Sequence, residues 1–463
     1  MSLIRVAAML VLALIMNSQP AYAADEASAS TKPSTKPSTK PSTADAAPVP
    51  EKTFQQQLEN VWTRDKVTGD WNGWRKDLFD HGIDAQFRLG QYGQWVADGG
   101  VETDGGYGGT MDYRVTADLK KLFDMWDGLT VSMHARSRWG QDVNSAAGAF
   151  TLPNAGLLMP LPGSYTGTDV TGLIVSQYLP FFAGRLANVT LGKLDVIDTV
   201  NGFFPDIVAF GQEGFWNINS LVTALPWFGA VDGLSLYGGM FATINQEYKM
   251  VESGFLMTGT ANVSDSWDSL QNSFDDGVWI AGWHRFLWKL DEKPGYLLVF
   301  AAGSTREQPS NDPRDVIQIP GQGLVDTDEE KPWDIALYAY QVFWQDEKNP
   351  ERKATIFLGG TAGPDNPQFA QYHLFAALEA HGPMASRPLD RMGVSFWKNW
   401  LSDDFKELVR PVVNLRDLYG FELYYNVAVN KWLHVTPDLQ FIKNETKGDD
   451  LAIVPGIRAV IDF

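Results

Sequence analysis

The residues best suited to bind a ligand are two arginines on one short alternating segment, 128–140. Arg136 and Arg138 are two positions apart, and the other parity is apolar, as at Met133. Because successive strand side chains point to opposite faces, both guanidinium groups are predicted to share one face, with Trp139 beside them. Charged N–H groups make strong hydrogen bonds to oxygen acceptors. This pattern predicts non-covalent recognition.

Two more arginines have the same predicted orientation. Arg88 and Arg114 each occupy the polar parity of their own alternating segment. Inward arginines have two interpretations. They either present donors to a ligand or only pair with inward acids such as Asp118, and the sequence leaves both open.

Residue types for covalent or metal chemistry are scarce or scattered. The chain has no cysteine and six histidines, and no two histidines have the close spacing of a metal motif. Its acids show no signal for a catalytic pair, and no nucleophile elbow is found. The acidic run around Asp265, Asp268, Asp275 and Asp276 lacks EF-hand spacing, which favours a solvated loop. The sequence predicts a non-enzyme without cofactor or metal.

The N-terminal region predicts export. Arg5, a short apolar run from Val6 to Met16 and the end Ala21–Ala23 predict a signal peptide over residues 1–23. Residues 24–50 are a low-complexity KPST linker, predicted to be extended and solvated. Its lysines offer a weak contact to an anionic cell-wall polymer. The net charge of −19 argues against binding nucleic acid.

The period changes to two from Ile83 onward. The segments 83–90, 113–120 and 129–138 each place apolar residues on one face and several charged or strongly polar residues on the other. Such polar faces would be costly in a protein core, but they suit a water-filled lumen surrounded by lipid. Residues 83–463 are therefore predicted to form a transmembrane antiparallel β-barrel.

Connection lengths support the barrel. Short turns such as "DEKPG" and "VNKW" alternate with long connections at 140–170, 244–276 and 305–332. This asymmetry is typical of outer-membrane barrels, and tracing it gives about 16 strands. In the segment before Phe463, apolar residues at alternate positions predict a closing strand that barrel-assembly machinery would read. Residues 51–82 are predicted to be a short helical segment, either at the barrel mouth or for oligomerisation.

Several longer sequence motifs resemble those of one protein family. "GDWNGWRKDLFDHGID" (69–84), "LGKLDVIDTVNGFF" (191–204), "RPLDRMGVSF" (387–396) and the closing hairpin ending "PGIRAVIDF" resemble the carbohydrate-selective porin (OprB) family, in the family's order. Trp74 departs from the family pattern, which usually has Ala there. The KPST linker is not part of the shared region.

The resemblance implies a 16-stranded channel in the outer membrane of a Gram-negative bacterium. Such a channel passes glucose-like monosaccharides and related solutes by diffusion past an inward-folded loop. Residues in and after the LGKxD-like segment are then candidates to line the pore, namely Lys193, Asp195, Asp198, Glu213, Trp216 and Asn219. Charged groups would bind sugar hydroxyls, and aromatic rings would bind their C–H faces.

Two other functions stay open at this level. One is an exported carbohydrate-active hydrolase, which would need no detergent for extraction. The other is a structural barrel without sugar selectivity, which would give no solute flux. The preferred sugar, the constricting loop and the choice between monomer and trimer are not determined by the sequence.

Overall fold

The computed structural model describes residues 61–148, 152–155, 167–204, 212–220, 235–261, 272–319 and 323–463. The chain divides into two compact units, Met1–Thr63 and Arg64–Phe463, and the fold below is that of the second. The predicted signal peptide, the KPST linker and residues 51–60 lie outside the described residues, as do Asp265 and Asp268.

Sixteen long strands form the second unit, because the alternating pattern recurs from Ile83 to the end of the chain. In chain order the strands are β1 (Ile83–Trp95), β2 (Gly105–Asp118), β3 (Leu129–Gly140), β4 (Gly167–Phe181), β5 (Arg185–Asp195), β6 (Ser235–Asn245), β7 (Met250–Gly259), β8 (Val278–Leu290), β9 (Lys293–Ser304), β10 (Trp333–Gln345), β11 (Lys353–Ala362), β12 (Ala370–His381), β13 (Arg391–Leu401), β14 (Leu418–Ala428), β15 (Leu433–Lys443) and β16 (Asp450–Asp462).

The sheet closes on itself. Each strand pairs antiparallel with the next, and β16 pairs antiparallel with β1 in a register that places Asp462 opposite Arg88. Closure leaves no free sheet edge, which a strand in lipid requires. The predicted all-β antiparallel barrel of about 16 strands is confirmed.

The two faces of the wall differ as the alternation predicts. On β10, Ile335 and Leu337 are about half exposed on the outer surface, while Ala336 and Tyr338 are buried inside. On β16, Ile457 faces outward and Arg458 is buried in the interior. The outer face is therefore an apolar surface suited to lipid.

Turns are short at one rim and connections are longer at the other. The hairpin between β8 and β9 turns through Asp291 and Glu292, both with positive φ, which suits a two-residue turn. The prediction of one long connection at 244–276 is wrong, because this stretch contains β7. The inward Leu256 of β7 is apolar and buried, which obscures the expected polar alternation there.

The other elements are small. The α-helices are α1 (Trp74–Asp80), α2 (Leu119–Phe123), α3 (Asn144–Ala147), α4 (Val196–Phe203) and α5 (Asp403–Val409), and single 3-10 turns occupy Trp71–Gly73, Phe182–Gly184, Ile218–Ser220 and Asn272–Phe274. Short strands pair Gln308–Pro309 with Glu329–Glu330 and Val316–Ile319 with Gly323–Asp326, and Asp98–Gly100 pairs with β16. Among the described residues, no helix has the length and apolar character needed to cross a bilayer.

Candidate functional site: the barrel interior

The chain turns into the barrel after β5. Asp195 ends the strand and caps α4, because its carboxylate accepts hydrogen bonds from the backbone N–H groups of Ile197 and Asp198 at 2.8 and 3.2 Å. This pairing of an N-cap carboxylate with unsatisfied amide groups fixes where the helix begins. The described pieces that follow, 196–204 and 212–220, are called the inward segment below.

The first piece of the inward segment packs on an aromatic wall formed by β8–β12. Phe203 stands edge-on to Trp283 at 4.6 Å between ring centroids, and Phe204 lies 5.0 Å from Tyr338 and 5.6 Å from Phe357. Such offset and edge contacts are favourable arrangements for aromatic rings. Arg285 of β8 also donates a hydrogen bond of 2.5 Å to the carbonyl of Phe203.

The second piece is hydrogen-bonded to a polar wall, defined here as the inner face of β13–β16 and β1–β3. The carboxylate of Glu422 accepts from the backbone N–H groups of Trp216 and Asn217. Further bonds join Asn217 to Gln440 at 3.0 Å and Asn399 to Asn219 at 3.1 Å. A buried carboxyl group whose oxygens accept backbone N–H bonds is a directional anchor.

Glycines in the polar wall make room for this piece. A Cβ atom added at Gly456 would lie 2.4 Å from the ring of Trp216, and one at Gly393 would lie 2.8 Å from Phe215. Both glycines belong to sequence motifs noted above. Gly456 is in the closing "PGIRAVIDF", and Gly393 is in "RMGVSF". Only glycine allows these rings so close to the strand. Arg458 stacks over the Trp216 ring at 5.1 Å and donates to the carbonyl of Gly214.

A charged network lies between the polar wall and α4. His134 contacts Asp112 through Nε2 at 2.8 Å and Asp198 through Nδ1 at 2.8 Å, and Arg136 donates to Asp112 at 2.6 Å. Only a doubly protonated imidazole donates to both carboxylates at once. His134, Asp112 and Arg136 are buried, so these pairs hold α4 against β2 and β3.

Part of this network has the composition of a metal site: among the described residues, three of its side chains are close enough together to bind one cation. The ligand atoms of His134, Asp195 and Asp198 lie within 4.8 Å of one another. Asp198, however, already accepts from Arg114 at 2.7 Å as well as facing His134. Ion pairing within the protein therefore accounts for the arrangement.

Other charged side chains of the interior are partly exposed, and Arg88 and Glu213 are two of them. Arg88 makes a two-point contact with Asp462 at 2.7 and 3.0 Å and lies 3.0 Å from Glu213 of the inward segment. Arg391 lies 3.9 Å from the same glutamate. Burial raises the pKa of Glu213, but the positive charges of Arg88 and Arg391 lower it more, so its pKa lies below the ordinary value.

The structure separates the predicted pore-lining residues into two groups. Arg88, Arg114, Asp198 and Glu213 retain partial exposure in the interior. Trp139 is also partly exposed, but its parity places it on the outer face of β3, opposite to Arg138. The remaining six are buried, and they are Arg136, Arg138, Lys193, Asp195, Trp216 and Asn219. For Arg136 the sequence leaves open whether it meets a ligand or pairs with an inward acid such as Asp118, and in the structure it pairs with Asp112. Asp118 instead caps α2, where it accepts from Lys120 and Lys121.

Several interior residues escaped the sequence-based prediction. Asp112 and His134 share the parity of Arg114 and Arg136, so alternation alone contained the signal for them. Arg391 gave no such signal, because its role comes from its contact with Glu213, which is distant in sequence.

Comparison with known proteins identifies the architecture. The family model for the carbohydrate-selective porin, OprB family, matches residues 102–463. The chain belongs to the OprB family of carbohydrate-selective porins. This porin is similar to Porin B of Pseudomonas aeruginosa, at 24% identity over 433 residues that cover 85% of this chain and 90% of the relative.

Solved structures agree with this assignment at the level of the fold. The high-pH structure of Pseudomonas putida OprB is similar with a TM-score of 0.69 and 18% identity, covering 87% of this chain and 99% of the other. The low-pH structure of the same protein gives a TM-score of 0.52 and 16% identity over the same shares. The porin is thus an outer-membrane carbohydrate channel of a Gram-negative bacterium.

Proposed function

We propose that this porin passes neutral monosaccharides by passive diffusion and selects them at a constriction formed by the inward segment. The observation that carries the proposal is the attachment of one segment to two different parts of the wall. Phe204 meets Tyr338 on the aromatic wall, while Glu213 meets Arg88 on the polar wall. A segment held on both sides narrows the passage between its fixed ends.

The partly exposed charges give that passage its chemistry. The guanidinium groups of Arg88 and Arg114 and the carboxylates of Glu213 and Asp198 form pairs of opposite sign. Paired charges offer donors and acceptors to hydroxyl groups without a strong net attraction for either ion sign. Such binding is weak enough for release, as conduction requires. We assign the buried Trp216 and Asn219 a positioning role and no contact with the sugar.

Liposome swelling with purified, refolded mature protein tests the proposal. The expected result is faster swelling with glucose than with a neutral amino acid of similar size or a disaccharide. Equal rates for glucose and the amino acid would indicate a general diffusion pore. A folded barrel, recognised by its heat-modifiable gel shift, that gives no swelling would refute a diffusion function.

The hydrolase hypothesis receives no support from the interior. Asp112 is engaged in ion pairs with His134 and Arg136, and Glu422 anchors the backbone of the inward segment. The family and the fold are those of channels.

A further inference from the structure

A cavity of about 530 Å³ lies against the inner wall of β2–β7, beside α4. Its lining includes Thr116, Ser132, Ser176, Asn188 and Met240. Thr116, Ser132 and Asn188 lie near the strand ends that meet at the short turns, so the cavity is on the turn-rim side of α4. It is called the turn-side cavity below.

One side of the turn-side cavity is a row of hydroxyl and amide groups. Thr116 and Ser132 lie 3.0 Å apart through their hydroxyl oxygens, and Ser176 and Thr190 lie 2.8 Å apart. Thr190 also donates to the Oδ1 atom of Asn188 at 2.8 Å. These mutual bonds fix the orientation of the polar groups before any ligand arrives, which reduces the entropic cost of binding.

Asn188 is the member of this row with an unused donor. Its side chain is 5% exposed, and within the described part of the chain its Nδ2 atom has no hydrogen-bond partner. A buried amide donor left without an acceptor costs free energy, so an acceptor that enters the cavity would relieve that cost. Asn188 therefore marks the place where a ligand oxygen fits.

The part of the lining that belongs to β6 and β7 is apolar. Met240, Ile244 and Val251 form it, and Ile174 of β4 and Phe203 of α4 add further apolar surface. A ligand that satisfies both parts of the lining has C–H groups and an edge of hydroxyl groups. The charges nearby are already paired, because Arg114 donates to Asp198 at 2.7 Å. A neutral ligand is thereby favoured over an ion.

We propose that the turn-side cavity is a second binding station for a neutral pyranose sugar, which adjoins the constriction at Arg114 and Asp198 and is reached after it from the loop rim. The proposal rests on the function proposed above, because it needs a sugar to pass. Ligand sites usually enclose about 300 to 1,000 Å³, so a cavity of about 530 Å³ is of suitable size. Two weak binding sites in series would let a solute pass without being held tightly at either site.

Single-channel recording in planar bilayers tests the station with glucose added to one side at a time. Asn188→Ala removes the donor, and we expect glucose added at the turn rim to interrupt the current for about threefold to tenfold shorter times, as the loss of one net hydrogen bond implies. Met240→Trp fills the cavity from its apolar side and should abolish the same events. A variant is compared only if it shows the heat-modifiable gel shift of a folded barrel.

Asn426→Ala is the matched control, since Asn426 is also buried in the interior near the turn rim but belongs to β14 and does not line the cavity. It should leave the interruptions unchanged. Suppose that liposomes with wild-type protein swell faster in glucose while glucose keeps its wild-type residence time in both Asn188→Ala and Met240→Trp. That result would refute the second station and leave the proposed porin function standing. If wild-type protein shows no preference for glucose, the proposed selectivity itself fails.

Discussion

The aromatic wall and the polar wall hold two pieces of the same inward segment by different interactions. On the aromatic wall, Phe203 and Phe204 pack against rings of β8–β11, with one hydrogen bond from Arg285. On the polar wall, Glu422 and its neighbours hold backbone groups by directed hydrogen bonds. Packing is strong but tolerant of small shifts, whereas hydrogen bonds fix position.

This contrast assigns different tasks to the two walls. The aromatic wall buries Phe203 and Phe204, and this apolar burial contributes free energy that keeps α4 inside the barrel. The polar wall sets where the second piece lies, and with it the distance between Glu213 and Arg88. Changes to the aromatic wall should therefore affect whether the segment stays in place. Changes to the polar wall should affect how well the pore selects.

The largest effect is expected from Phe204→Ala. The ring is buried against Tyr338 and Phe357, and truncation of a buried Phe typically costs about 3–5 kcal/mol. Loss of that packing should release α4, increase single-channel conductance and add current noise. Phe182→Ala is the control, because Phe182 is exposed in a turn. Wild-type conductance in the Phe204 variant would show that the aromatic wall does not retain the segment.

A smaller effect is expected from Glu422→Gln. The amide keeps one oxygen acceptor, but its NH2 group replaces the second oxygen, which also accepts from the backbone N–H of Asn217. Weakening a buried hydrogen-bonded anchor costs about 1–3 kcal/mol. The preference for glucose over the amino acid should fall in swelling assays while conductance rises only slightly.

Glu252→Gln is the matched control for that anchor, since Glu252 is a buried glutamate near the turn rim that pairs with Arg185. It should keep wild-type selectivity. An equal loss of selectivity in both variants would mean that the polar wall has no special role in positioning the segment.

Arg88→Ala should alter ion selectivity more than barrel stability. Arg88 is partly exposed and contacts both Glu213 and Asp462, so its removal leaves two carboxylates without this cation. A unit charge about 7 Å from an ion in water contributes about 0.6 kcal/mol, with opposite sign for a cation and an anion, so the cation-to-anion permeability ratio should rise about sevenfold. Reversal potentials in a salt gradient measure this ratio.

Arg136→Ala provides the comparison for Arg88. Arg136 is buried and paired with Asp112, so its loss should lower the temperature of the gel shift and leave the reversal potential nearly unchanged. If the two arginine variants shift the reversal potential equally, exposure does not decide which charges the permeating ion meets.

The parts of this arrangement that follow a local rule were predictable from sequence. Alternation alone placed Arg88, Arg114 and Arg136 inside, because side-chain direction in a strand depends only on parity. Closure by β16 and the number of strands followed from the same period and from the spacing of the turns. These features need no knowledge of distant contacts.

The site itself depends on contacts between residues far apart in the chain. Nothing near Trp216 in the sequence shows that it lies under Glu422 and beside Gly456, so its burial could not be predicted. The same holds for Arg391 and Glu213. β7 escaped prediction because the apolar Leu256 stands between the inward Glu252 and Thr258, which interrupts the polar alternation that revealed other strands.

The smallest effect is expected from acidification through Glu213. Its pKa is lowered below the ordinary value of 4.5, so its ion pairs stabilise the docked segment above that pH, and the stabilisation is lost as the pH falls through the lowered pKa. Wild-type protein and the Glu213→Gln variant should therefore differ in conductance near pH 6 and converge as the pH falls well below 4.5. Single-channel recording across this range measures the difference. Because other carboxylates titrate in both proteins, only the difference between them reports on Glu213. A difference that stays constant with pH would mean that the charge of Glu213 does not hold the segment to the polar wall.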